Sequence, residues 1–113
     1  MKKLTYKELK ALKDDMLTVE DGCPICKRLF KDLKQRDICL DHNHVNGKIR
    51  GLLCRGCNSM EGKVHRAFVR VGLAKAGVNY EEFLIGLLCY TKFPELDVLH
   101  PTFKVKNEKK RFK

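Results

Sequence analysis

The stretch Ile38-Cys39-Leu40-Asp41-His42-Asn43-His44-Val45-Asn46-Gly47-Lys48-Ile49-Arg50-Gly51-Leu52-Leu53-Cys54-Arg55-Gly56-Cys57 decides the fold. It predicts a strand from Ile38 to about His44, a two-residue turn at Asn46-Gly47, where both residues tolerate positive φ, and a return strand from Lys48 to Leu53. The return strand delivers the chain to Cys54 and Cys57. A matching pair, Cys23-Pro24-Ile25-Cys26, is separated from it by 27 residues, with Asp41-His42-Asn43-His44 midway between. Each Cys-x-x-Cys lets two sulfurs converge on one ion at about 2.3 Å, and two such pairs complete a closed tetrahedral site. A closed site offers no position to water or substrate, so Cys23, Cys26, Cys54 and Cys57 are expected to hold a structural Zn2+. A redox role for Cys23 and Cys26 would require a thioredoxin-like βαβ setting, which the pattern does not display. The two tetrad histidines could instead serve zinc with one cysteine pair, but four cysteines already suffice.

Upstream, Thr5 and Glu8 form a capping box at the start of a helix with Leu9, Leu12 and Met16 on one stripe. Asp21-Gly22 closes that section, and Lys27 to Arg36 is expected to loop over the surface. Downstream, Asn58 three residues before Glu61 predicts a second helix start. That helix would bury Val64, Phe68 and Val71 and carry Lys63, Arg66 and Arg70 as a basic ridge. Gly72 and Gly77 punctuate the next stretch. Asn79 with Glu82 caps a last helix bearing Tyr80, Phe83, Leu84, Leu87 and Leu88 on one face, a stripe wide enough for core or for a dimer. Pro94 ends this helix, and a basic tail completes the chain. The expected organisation is an N-terminal helix (1–22), a zinc-bound core (23–71), a C-terminal helical region (72–99) and a basic tail (100–113), together one compact domain.

A chain of 113 residues fits one domain with a modest core that a zinc clip would supplement. The net charge is +10, and its distribution matters more than its size. Residues 1–22 and 59–99 each hold five basic and five acidic side chains, whereas 23–58 hold eight against three and 100–113 six against one. Charge concentrated on the metal segment and the tail points to a phosphate backbone rather than to a membrane or an acidic protein. The start, Met1 to Lys7, lacks the apolar core of a signal peptide, which favours a reducing cytoplasm and metal-binding cysteines. The longest apolar run, Phe83 to Tyr90, is too short to span a bilayer. Cys39 and Cys89 remain outside the zinc set and are expected to be small buried hydrophobes.

Hydrolysis of a phosphodiester needs an activated water, a hard cation for the developing charge, and stabilisation of the leaving oxygen. Asp41 offers a carboxylate to Mg2+, which prefers oxygen ligands, and Asn58 offers a second oxygen from the helix start. An imidazole, with an ordinary pKa of about 6.5, suits proton abstraction from water, and His42 is the choice for that base. Plainer readings exist: Asp41 as a hydrogen-bond acceptor, and Asn58 with Glu61 as a helix cap. Ideal alternation sends His42 and His44 to one face and Asp41 to the other, so convergence requires a strand end or a bend. His65 and His100 have no acidic neighbours in sequence and are expected in surface or turn roles.

The segment Asp21 to Lys63 closely resembles the phage recombination endonuclease VII family, within the HNH (His-Me finger) nucleases. The likeness is carried by Leu40-Asp41-His42-Asn43-His44 and by Arg50-Gly51-Leu52-Leu53-Cys54-Arg55-Gly56-Cys57-Asn58. It continues through Glu61-Gly62, Gly77-Val78-Asn79-Tyr80 and His100-Pro101-Thr102-Phe103. The resemblance implies an α+β, mainly helical fold: a ββα-metal motif with a treble-clef-like, four-cysteine zinc site and flanking helices. It implies zinc on Cys23, Cys26, Cys54 and Cys57, a metal-binding acid at Asp41, the general base at His42 and a metal-binding amide at Asn58. His44 matches a further active-site histidine, and Glu61 an acidic residue near the site. It also implies a Mg2+-dependent endonuclease (with Mn2+ able to stand in) that resolves branched DNA such as four-way junctions as an intertwined homodimer. Such an enzyme would be phage- or prophage-encoded and cytoplasmic. The best-known members continue well beyond the position of Phe103. The alternatives are an HNH nickase on ordinary duplex and a non-catalytic zinc module that binds DNA.

Overall fold

The computed structural model describes residues 2–105. Its elements are helix α1 (Tyr6–Leu17), strands β1 (Ile38–His42) and β2 (Ile49–Cys54), helix α2 (Arg55–Arg70) and helix α3 (Tyr80–Tyr90), with short 3-10 turns at Phe30–Asp32 and Gln35–Asp37. This is a small α+β fold of three helices and one two-stranded antiparallel sheet. Residues up to Tyr80 form one compact unit and those from Glu81 another.

In the first unit, α1 begins as its local sequence dictates: the Thr5 hydroxyl accepts from the Glu8 amide while the Glu8 carboxylate accepts from the Thr5 amide. Leu9, Leu12 and Met16 are half-buried, and Met16 and Leu17 pack against the core. The first cysteine pair sits in a tight knuckle. Gly22 bridges to Leu29, the Cys23 amide donates to the Arg28 carbonyl at 2.9 Å, and Lys27 takes a positive φ of 70°. A Cβ on Gly22 would lie 2.8 Å from the Arg28 carbonyl oxygen, so the knuckle closes only around glycine. The Lys27 to Arg36 stretch does not simply loop over the surface. Its 3-10 turns drive Phe30 into the core, because an aromatic ring gains more from burial than the local charges gain from continuous exposure.

The strands pair Ile38 with Cys54, Cys39 with Leu53, Leu40 with Leu52 and Asp41 with Gly51, then slip so that His42 faces Ile49. Arg50 is the extra residue of this bulge. The core comprises Cys23, Phe30, Ile38, Leu52, Leu53 and Cys54, with Leu33, Leu40 and Cys57 packed against it. Two of its six residues, Cys23 and Cys54, are thus expected zinc ligands, and core and metal clip are physically one object.

The connection between the strands is longer than a two-residue turn. The Asn43 amide donates to the Lys48 carbonyl at 2.8 Å, and the Asn43 side-chain oxygen accepts from the amides of Val45 and Asn46 at 2.8 and 3.1 Å. This Asx arrangement takes His44 and Val45 out of the strand, with Gly47 closing the loop at φ 75°. Helix α2 starts earlier than expected, at Arg55. Its cap is Cys54, whose sulfur accepts from the Cys57 amide at 3.3 Å, so Asn58 lies inside the first turns and caps nothing. Phe68 is buried and Val64 half-buried, but Val71 is exposed, because the helix ends at Arg70 and Val71 is its C-cap. The Tyr80 ring packs edge-on against Phe68 at 5.0 Å.

In the second unit, the described residues are almost all exposed, among them Leu84, Leu87, Leu88 and Cys89. Cys89 is therefore not a buried hydrophobe. His100 accepts from Thr102 in a turn, as its place before Pro101 suggests. Of the basic tail, residues 106–113 lie outside the described residues.

Candidate functional site

Two groups of metal-binding side chains converge among the described residues. In the first, the sulfurs of Cys23, Cys26, Cys54 and Cys57 all lie within 4.8 Å of one another, with Cys26 and Cys54 at 3.7 Å. Tetrahedral zinc with bonds of about 2.3 Å sets its sulfurs about 3.8 Å apart, so the set fits that ion. The knuckle supplies one pair and the β2–α2 junction the other. Arg28 lies against the cluster, its Nη2 donating to Cys54 at 3.0 Å and its Nε to Cys26 at 3.4 Å. That guanidinium, with help from backbone, pulls the Cys26 thiol down to about 6. Burial, reinforced by the neighbouring sulfurs, pushes Cys57 up to about 12. Four thiolates around one divalent ion leave a formal charge of about −2, which a guanidinium offsets in part.

In the second group, ligand atoms of Asp41, His44 and Glu61 lie within 4.8 Å of one another. β1 brings Asp41, the inter-strand loop brings His44, and α2 brings Glu61. His44 Nε2 meets Glu61 Oε1 at 2.5 Å. Arg50, turned by the bulge, donates from Nε to Asp41 Oδ2 at 2.8 Å and reaches Glu61 Oε1 from Nη2 at 3.1 Å. Asp41 is buried and Glu61 largely so. Burial opposes ionisation of Glu61, but the hydrogen bonds from His44 and Arg50 outweigh it and hold the carboxyl below its ordinary range. The hydrogen bond to Asp41 raises Arg50, which stays a cation throughout.

The remaining expected residues stand close by. His42 is exposed at the end of β1, its ring 5.8 Å from that of His44, and it borders a groove with Lys2, Lys3 and Lys48. Asn58 is half-buried on α2, three residues before Glu61 and hence on the same side of the helix. The structure thus brings Asp41, His44 and Glu61 into one cluster and sets His42 at its margin.

Three residues outside the expected site prove to shape it. Arg50 ties the two carboxylates. Asn43 builds the loop that presents His44. His65 is not a surface histidine: half-buried on α2, it stacks on His44 at 5.1 Å with ring planes 18° apart, and Tyr80 packs edge-on against it at 4.9 Å. The only sequence signal for His65 is its position four residues after Glu61, on one helical face. The basic ridge adjoins this cluster, because Arg66 Nη1 and His44 Cε1 both approach Gly62, at 3.3 and 3.8 Å from where a Cβ would stand. Lys63, Arg66 and Arg70 are exposed.

The family model for recombination endonuclease VII matches residues 1–92. The chain belongs to that family, one of nucleases, with DNA as the implied partner. No helix among the described residues is long and apolar enough to cross a membrane.

Proposed function

We propose that this protein is a Mg2+-dependent DNA endonuclease of the HNH (His-Me finger) type, built on a ββα-metal motif within residues 23–71 and stabilised by a structural Zn2+. Its substrate on this reading is branched DNA such as a four-way junction, cut by a homodimer. The observation that carries the reading is the convergence of Asp41, His44 and Glu61 beside an exposed His42. Oxygen donors suit Mg2+. Arg50 engages Oδ2 of Asp41 and Oε1 of Glu61, so one oxygen of each carboxylate is left for an ion. Asp41 and Asn58 would hold it, and when bound it supplies Lewis acidity at the phosphoryl oxygen and stabilises the leaving group.

The protein's own part is proton transfer and positioning. His42 takes the proton of a water whose oxygen bonds to phosphorus as the phosphorus–oxygen bond to the leaving strand breaks. Glu61 orients His44 through their hydrogen bond, and His65 fixes the plane of the His44 ring from behind. Lys63, Arg66 and Arg70 line one side of the site with positive charge for flanking phosphates. The exposed Ile85, Leu88, Tyr90, Phe93 and Leu96 of the second unit offer apolar surface to a second copy, and a two-fold dimer would present two equivalent sites to the two strands of a junction. Work on phage or prophage DNA would take place in the cytoplasm of the host cell.

The test is incubation of wild type and His42→Ala with a four-way junction and a matched linear duplex, with and without Mg2+. Cleavage of the junction should require Mg2+ and fall by at least about 100-fold in His42→Ala, while binding persists. Equal cutting of both substrates leaves an HNH nickase on ordinary duplex. Binding without any cutting leaves a non-catalytic zinc module.

A further inference from the structure

We infer that Arg50 is a further residue that touches the substrate: its guanidinium, braced on Asp41 and Glu61, presents its remaining N–H groups to a non-bridging oxygen of the reacting phosphodiester. The inference rests on the nuclease reading above and names one more contact of the same site.

The argument begins with the backbone. In regular pairing the neighbour of Gly51 would project away from the face that Asp41 occupies. The slip between Asp41 and His42 inserts Arg50 as an extra residue and turns it back onto that face, where it meets Asp41 at 2.8 Å. A guanidinium carries five N–H donors in a rigid fork. One from Nε goes to Asp41 and one from Nη2 to Glu61, which leaves the second on Nη2 and both on Nη1. The side chain of Arg50 is 40% exposed, against 9% for Asp41 and 19% for Glu61, so of the three Arg50 is the one most open to an incoming phosphate.

Charge gives those free donors their use. Two ionised carboxylates would repel an incoming phosphate, and Arg50 is the one arginine or lysine ion-paired with both among the described residues. Bracing fixes the fork before substrate arrives. Its donors then stabilise the charge that grows on a phosphoryl oxygen without reorganising at that moment. Lysine cannot replace it, because a single ammonium lacks the planar fork that serves two carboxylates and a phosphate together.

Arg50→Gln and Arg50→Lys are compared with wild type in single-turnover cleavage of a four-way junction at saturating DNA, across a Mg2+ titration. Zinc content and thermal midpoint are checked first, and Arg50→Lys carries the comparison should Arg50→Gln not fold. The expected loss in rate is about 100- to 1000-fold for Arg50→Gln, and it persists at saturating Mg2+. Arg50→Lys is expected to keep no more than about a tenth of the rate. Recovery of either variant to within about threefold of wild type at high Mg2+ would overturn the inference, since Arg50 would then only arrange carboxylates for the ion. A wild-type protein that binds the junction without cutting it sinks the nuclease reading itself. A cutting wild type with indifferent Arg50 variants sinks this inference alone.

Discussion

The zinc clip can be separated from the apolar core by a single substitution, Cys26→Ser. Cys23 and Cys54 are buried members of the core, so replacing either removes packing as well as a ligand. Cys26 is exposed. On a fold that did not need the metal, an exposed Cys→Ser change would alter stability by no more than about 0.5 kcal/mol. If the four sulfurs hold zinc, the same change removes a ligand from a site whose metal contributes about 10 kcal/mol to folding. The non-ligand core side chains are Phe30, Ile38, Leu52 and Leu53. At about 1.5–3 kcal/mol each, their combined contribution is comparable to that of the metal. With whole domains stable by only about 5–15 kcal/mol, loss of the ion should unfold the first unit. The assay is far-UV circular dichroism through a thermal ramp, with bound zinc counted by atomic absorption and chelator held at a level at which the wild type keeps its ion. Cys26→Ser should lack both zinc and a cooperative transition, while Cys39→Ser, outside the cluster, should keep both. A zinc-free Cys26→Ser that melts within a few degrees of wild type refutes the reasoning.

Replacing Lys63, Arg66 and Arg70 together by Gln in a His42→Ala background should flatten the plot of log affinity for DNA against log salt by about 0.9 for each phosphate no longer neutralised. An unchanged slope would remove the ridge from the DNA interface. Arg28→Gln should raise the pH at which zinc is released, read with a colorimetric chelator. The sign follows from Arg28 holding the Cys26 thiol down to about 6: without it protons compete for that sulfur at higher pH. One of the four sulfurs then takes up its proton sooner on acidification, so the midpoint moves to higher pH. A midpoint that stays put or falls contradicts the role given to Arg28.

How much was legible in the sequence tracks how local each signal is. The capping box of Thr5 and Glu8 is complete within four residues of chain and forms in full. The cysteine pairs state their own geometry, and the four sulfurs converge. The hairpin was legible in its strands but not in its connection. Asn46-Gly47 is a strong turn signal, yet Asn43 captures two amides of the loop and lengthens it. The start of α2 was hidden because a cysteine sulfur is an unusual helix cap, so Asn58 looked like the better one. His65 was illegible for another reason. Its partner His44 is 21 positions away in sequence, and only the packing of α2 against the hairpin unites them.

The two departures from ideal hairpin geometry are what permit a site at all. Strict alternation would place Asp41 on one face, with His42 and His44 on the other. The Asn43 loop frees His44 from the strand, and it swings to Glu61 on α2 within reach of Asp41. The bulge does the same for Arg50 on the opposite strand, facing Asp41 across a pair whose other member, Gly51, has no side chain to crowd it. His42, still on the strand, keeps to its own side and stays open to solvent at the margin of the cluster. A base must meet water, while an acid that holds a cation benefits from burial. The same irregularities therefore separate the two environments that the proposed chemistry needs, and the zinc clip at the end of β2 fixes the helix against which both are measured.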